Sequence, residues 1–511
     1  MTPLSGQAFA GNLPALPPGS RIALTTGAEA RHLMMAMCKE LKRRSDVKIY
    51  LYVNSAEGLR TYRPYAAEGV ADDVIRADIL YQTLLEPVAD EADVFREARE
   101  TEAFIGCTYN MVRMTRRDVG LGFYLGGYNH PLSPFAVLPS YPQLVNAYNK
   151  LFAFWKREFE SKGITLVLNG LKEEAVMARA MGIPYRYLFL ARLESRYYWA
   201  ANEMCEWPEI KQAYLSVPEG SATLSDDVRE YNQSRAQLDR VLGHNLFLNL
   251  IKRLFRHAKR EIYMRLKYPF TTPGYYYWST VAFLWREYRD LKRLRPPNTR
   301  RLSDMRGKRF VFFPLHTEPE MSLHWMSPEY FSQLEAIALI ARDLPAGVYL
   351  AVKETFYGAG RRPPKFYDQI RRLKNTVLLD VWEFGVDVVR ESDAVITIGG
   401  TAGLEAAFMG KPVILFGQHN FYDFLPHVRV VRKTGDLADA LKFALAGGFD
   451  TEKARRDAAR LRQAMKNASF DLGSYSNIDD RNFDKNGVRL TADALISSVA
   501  REALKFRAAG E

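Results

Sequence analysis

Residues 394–417 read AVITIGGTAGLEAAFMGKPVILFG. An apolar run ends on Gly399-Gly400, passes through Thr401-Ala402-Gly403 and continues as a helical stretch that Gly410 closes. Small residues at such a junction let a ligand approach the backbone, and the open N–H groups of the helix start favour a phosphate. Glu405, one turn in, stands where a carboxylate accepts hydrogen bonds from a ribose. The same residues also suit plain strand–helix packing with a carboxylate complementing the helix dipole, and residue types alone leave both readings open. A second cluster is PLHTEPE at 314–320, where His316, Glu318 and Glu320 crowd into five residues at the exit of an apolar strand. Open parallel sheets hold their ligands at such exits. A third is Val352-Lys353-Glu354, followed by Arg361 and Arg362, whose cations can counter a leaving phosphate without a metal. For a general base, the first half of the chain offers Asp118 in RRDVGLGFYLGG and Glu194 in ARLESRYYW, with Glu29 as a third. Each of these carboxylates fits a surface ion pair equally well.

These residues need strands and helices to position them. Apolar runs at 21–25, 48–53, 164–168 and 185–190, separated by helical patterns at 28–41 and 173–181, spell parallel α/β units. The rhythm resumes at 309–315, 348–352, 376–379, 394–398 and 413–416. The spacing therefore predicts two Rossmann-like domains, at 1–215 and 305–471, around a helical basic insertion at 216–304, with a helical tail at 472–511. Helix is expected over 226–266, with Phe247, Ile251, Leu254, Ala258 and Ile262 on an apolar stripe. Lys252, Arg253, Arg256, Lys259 and Arg260 take the opposite face.

At 511 residues, 47% of them hydrophobic and 25% charged, the chain has the composition of a folded protein with more than one core. Cys38, Cys107 and Cys205 are odd in number and far apart, which excludes a disulfide framework or a Cys-rich zinc site and fits a reducing cytoplasm. No basic leader precedes an apolar core at the start, and the longest apolar stretch, 275–285, falls well short of the roughly 20 residues a membrane-spanning helix needs. The net charge of +12 is concentrated: residues 251–310 hold 17 Lys or Arg against four acids, a net of +13. Such a segment calls for an anionic partner, and in the absence of a nucleic-acid module the inner face of an anionic membrane is the expected one, contacted through 246–301.

Three of these segments, FFPLHTEPE, VKETF with GRRPPKFY, and SDAVITIGGTAGLEAAFMGKPVILFG, together resemble the capsule polysaccharide biosynthesis family, which includes bacterial Kdo transferases. A fainter echo covers TLVLNGLKEEAVMARAMGIPYRYL. The resemblance implies a GT-B fold, two Rossmann-like domains facing a central cleft, with the activated sugar on the C-terminal domain and the acceptor on the N-terminal one. It implies a glycosyltransferase that needs no resident cofactor or metal, uses a CMP-sugar in preference to a UDP-sugar, and builds a capsular polysaccharide or glycolipid with inversion. His316, Glu318 and Glu320 would line the cleft, Lys353 would face phosphate, and Thr401, Gly403 and Glu405 would hold the nucleotide. Related sequences tend to carry His-Pro soon after that Lys; here those positions are Thr355-Phe356, so another group, such as Arg361, would assist the leaving phosphate. Two rival readings stand beside this one: a non-hydrolysing nucleotide-sugar epimerase, and a non-catalytic scaffold of a polysaccharide assembly complex.

Overall fold

The computed structural model describes residues 15–26, 31–113, 139–224, 245–267, 279–318, 323, 325–330, 332–447, 449–473 and 485–509. The described chain divides into two compact units, each built on its own sheet, parallel throughout in the second and parallel over five strands in the first. The two Rossmann-like halves expected from the alternation of strands and helices are present.

The first unit opens with β1 (Ser20–Thr25), α1 (Arg31–Arg44), β2 (Val47–Val53) and β3 (Asp73–Arg76). After helix α2 (Tyr141–Lys162), β4 (Leu166–Leu168) returns beside β1. Ser140 starts α2 with a reciprocal capping box to Gln143, and Gly163 ends it in the left-handed conformation at φ 58°. Helix α3 (Lys172–Ala180) leads to β5 (Tyr185–Leu190), and an antiparallel hairpin adds β6 (Arg196–Ala200). The parallel part of the sheet runs β3-β2-β1-β4-β5.

The second unit includes a helical hairpin, α4 (Leu246–Lys267) and α5 (Ser279–Arg293), ahead of its sheet. Strands β7 (Arg309–Pro314), β8 (Val348–Lys353), β9 (Thr376–Leu379), β10 (Ala394–Thr397), β11 (Val413–Leu415) and β12 (Val428–Val430) follow, with α6 (Gln333–Asp343) after β7 and α7 (Thr401–Phe408) after β10. All six strands are parallel, in the order β9-β8-β7-β10-β11-β12. Both faces are covered, so the strands read as unbroken apolar runs such as Phe310, Val311, Phe312 and Phe313, all buried.

The chain then goes back to the first unit. β13 (Phe470–Asp471) pairs antiparallel with β6, and α8 (Lys485–Ala509) packs against α1. Ala492, Leu495 and Ile496 enter the first core, while Arg186 donates to the Ser498 backbone carbonyl at 2.8 Å. The sequence pattern set 472–511 apart as a helical tail; in the structure α8 begins at Lys485 and lies within the first unit. The reason is long-range: its apolar face is finished by residues about three hundred to four hundred and fifty positions away.

The hairpin, too, differs from its sequence pattern. Leu250 and Leu254 face Phe283 and Leu284 of α5, whereas Phe247, Ile251 and Ile262 stay exposed and Arg253 turns inward to pair with Glu287. The helical stretch expected at 226–244 lies outside the described residues.

Candidate functional site

The order of the second sheet reverses between β7 and β10: the chain moves outward from β7 to β9, then starts again on β7's other side. At such a switch point the loops leaving the two strands diverge and open a crevice at their carboxyl ends. The loops that leave β7 and β10 are the His316 loop and the Gly399-Gly400 junction, so two clusters that lie about eighty residues apart in sequence meet there.

His316 is buried, and its Nε2 lies 3.1 Å from the Thr397 hydroxyl. That hydroxyl also accepts the Gly400 backbone N–H at 3.1 Å, so one side chain ties the imidazole to the start of α7. A Cβ built on Gly400 would fall 2.8 Å from the His316 Cε1 atom, closer than real contacts allow. Glycine is required here because the histidine ring lies against the backbone. Gly403 is required for a different reason: its Cβ would meet the Tyr422 hydroxyl oxygen at 2.4 Å and the Thr397 methyl at 2.7 Å. That glycine permits tight packing under the helix. Thr401 is exposed and Ala402 half-buried, and neither brings a charge to the helix start; Glu405 is buried below them, and Gly399 lies in the bend that follows the strand.

The His316 loop is fixed from beneath. Gln333, the first residue of α6, accepts the His316 N–H at 2.6 Å and donates to its carbonyl at 3.0 Å. Arg362 donates to the same carbonyl at 2.6 Å. The Arg362 guanidinium is also held bidentately by Glu354, at 2.6 and 2.7 Å, and lies 3.4 Å from Glu318. Arg362, Glu354 and Glu318 are all buried, and a two-point geometry of this kind is what makes a buried ion pair tolerable. Glu354 further accepts the Tyr367 hydroxyl at 2.9 Å. Burial and the Glu354 charge hold the Tyr367 phenol well above its ordinary range, so it acts as a donor. The Arg362 charge is thus taken by two carboxylates of its own chain, and its work is to join the β7 and β8 loops.

Lys353 ends β8 opposite Pro314, half-buried, its Nζ donating to the Glu354 carbonyl at 3.2 Å. Desolvation lowers its pKa to about 8, against the opposing pull of Glu354, Asp380 and Glu383. Arg361 places its guanidinium 5.5 Å from the centre of the Phe283 ring on α5. Glu194, in the first unit, occupies the left-handed turn between β5 and β6 at φ 50°, where its carboxylate pairs with Lys466 at 3.0 Å. Asp118, Glu320 and Glu29 lie outside the described residues. Among the described residues no group of three or more His, Cys, Asp or Glu side chains is placed to hold a metal ion.

Sequence reasoning passed over Thr397, Gln333 and Tyr367. Thr397 carried a signal, a hydroxyl at the end of an otherwise apolar strand. Gln333 carried none, because its partner is a backbone group seventeen residues away.

No family model matches the chain, and no curated protein matches it. Among solved structures, the chain is similar to KpsC, a β-Kdo 2,7 transferase from Thermosulfurimonas dismutans, at 16% identity over 58% of this chain and 80% of that one, with a TM-score of 0.26. It is similar to MurG from Acinetobacter baumannii at 11% identity, over 86% of this chain and 95% of that one, with a TM-score of 0.25. A UDP-GlcNAc 2-epimerase from Neisseria meningitidis, bound to UDP-GlcNAc, is similar at 11% identity, over 95% of this chain and all of that one, with a TM-score of 0.22. At these identities and scores the likeness assigns no activity.

Proposed function

We propose that the chain is a GT-B glycosyltransferase that moves a sugar from a nucleotide donor, CMP-activated in preference to UDP-activated, to a capsular polysaccharide or lipid-linked acceptor. The observation that carries this reading is the meeting of His316, Thr397 and Gly400 at the switch point, beside an uncharged helix start. A phosphate seated there meets the open N–H groups of α7 and the positive end of its dipole. Lys353 supplies a positive charge two strands over, and Arg361 a second one, so the departing phosphate is neutralised by fixed groups and needs no metal. Gly399, Gly400, Thr401, Ala402 and Gly403 form the backbone cradle, with Glu405 for the ribose.

In the reaction the acceptor hydroxyl oxygen attacks the anomeric carbon, the bond from that carbon to the phosphate oxygen breaks, and the hydroxyl proton passes to a base. His316, with its ring fixed by Thr397, lies against the Gly400 backbone of the cradle; Glu318, ion-paired beneath it, holds the loop. Glu320, Asp118 and Glu194 complete the set of carboxylates from which the base is drawn.

A thermal-shift series with CMP, UDP and GDP tests the nucleotide site. One nucleotide, CMP foremost, is expected to raise the melting temperature of the wild type and to do so less in Glu405→Gln; indifference to all three removes the transferase reading. Product analysis with sugar nucleotides then separates transfer from epimerisation of the donor, and both from a scaffold that binds without turnover.

A further inference from the structure

The inner side of the α4–α5 hairpin is fully used. Leu250 and Leu254 pack on Phe283 and Leu284, Arg253 pairs with Glu287, and Asp290 accepts the Gly360 N–H of the β8 loop at 3.2 Å. The outer side is not. Phe247, Ile251, Phe255, Ile262 and Leu266 recur at spacings that share one helical face, and Phe255 and Leu266 are 73% and 84% exposed. The apolar surface continues onto α5: the Phe247 ring lies 6.2 Å from Tyr288, which lies 5.7 Å from Trp285, itself 57% exposed. Side chains of this size, aligned and open to water, mark a surface that meets something apolar.

Charge identifies the occupant. Lys252, Arg256, Lys259 and Arg260 are exposed on α4 and fall together along one flank of the apolar stripe. An apolar face bordered by a continuous cationic flank, with a tryptophan at its rim, matches the boundary between acyl chains and anionic headgroups, and long basic side chains reach the headgroups while their stems stay on the apolar side. An acidic protein partner would not need the five apolar residues in line. No helix among the described residues is long and apolar enough to cross a membrane, so contact would be made from one side.

We infer that the outer face of the α4–α5 hairpin docks this chain on an anionic lipid bilayer, with Phe255 and Leu266 entering the acyl boundary and Lys252, Arg256, Lys259 and Arg260 meeting the headgroups. Because Gly360 and Arg361 rest on α5, docking holds the β8 loop one helix away from the lipid. The inference stands apart from the glycosyl-transfer reading and its test uses no nucleotide.

The full chain is sedimented with vesicles of phosphatidylcholine alone and of phosphatidylcholine with phosphatidylglycerol, at low and high salt. Binding to the anionic vesicles only, weakened by salt, is expected. The double variant Phe255→Glu, Leu266→Glu is expected to lower the partition coefficient by roughly a hundredfold, and Lys252→Glu with Lys259→Glu by roughly tenfold, with circular dichroism unchanged in both. All four positions are exposed, so loss of fold does not enter the reading. Absence of sedimentation with either vesicle overturns the inference, as does wild-type binding by the Glu double variant. A variant that turns a dimer into a monomer while vesicle binding stays as it was would assign the face to a second copy of the chain instead.

Discussion

The two sheets share a strand order and reverse it at the same place, yet their switch points are furnished in opposite ways. In the first unit the helix after the fourth strand, α3, opens with Lys172-Glu173-Glu174, all three buried, and Glu174 accepts the Thr25 hydroxyl at 3.2 Å across the reversal from β1. The positive end of that helix is served by the chain's own carboxylates. In the second unit the corresponding helix, α7, opens with Thr401-Ala402-Gly403 and has no acid in its first turn. A parallel α/β fold provides a helix start at every such junction; it becomes a seat for an anion only where the chain leaves it uncompensated.

Three experiments break or sharpen that comparison. The largest effect is expected at the support of the second switch point. Arg362→Ala leaves Glu354 buried without its two-point partner and should cost about 3–5 kcal/mol in denaturant unfolding. The solvent-facing pair Lys466–Glu194 of the first unit should cost at most about 1 kcal/mol when Glu194→Ala removes it. Equal costs would mean that the β7–β8 clamp has no special place in the fold.

Converting one switch point into the other comes next. Thr401→Glu sets a carboxylate in the first turn of α7, where α3 carries Glu173 and Glu174. The variant should fold as well as the wild type, since an acid suits a helix start, and bind its nucleotide roughly tenfold more weakly. Unchanged affinity by calorimetry would move the phosphate away from α7.

The smallest effect concerns Lys353 and has two signs. Unfolded, this lysine titrates near 10.5; folded, burial brings it to about 8. Between those values the unfolded chain holds the extra proton, so stability rises with pH across that window, and below about pH 8 the full penalty of a charged, desolvated lysine is present. Lys353→Met should therefore raise the melting temperature at neutral pH and flatten this rise, while weakening nucleotide binding. Nucleotide binding by the wild type should itself decline as pH climbs through about 8. A variant that melts lower at neutral pH, or binds as before, would take Lys353 out of the phosphate site.

The inner strands of both parallel sheets were legible in the sequence, because buried strands in a covered sheet must be apolar throughout. The short, less buried edge strands β3 and β12 carried no such run and were not read. The segments 314–320, 352–362 and 394–417 announced themselves through residue type alone. What the linear order did not reveal was which of their charges are spent. Arg362 reads as a phosphate ligand until Glu354 and Glu318 close on it, and Gly400 and Gly403 read alike until one meets the His316 ring and the other Tyr422. The stripe on α4 likewise had two ways to face, and only the position of α5 chose Leu250 and Leu254 as its inner seam. Local spacing fixes periodicity and backbone freedom, whereas neutralisation, close approach and the buried side of a helix depend on partners that only the folded chain brings within reach.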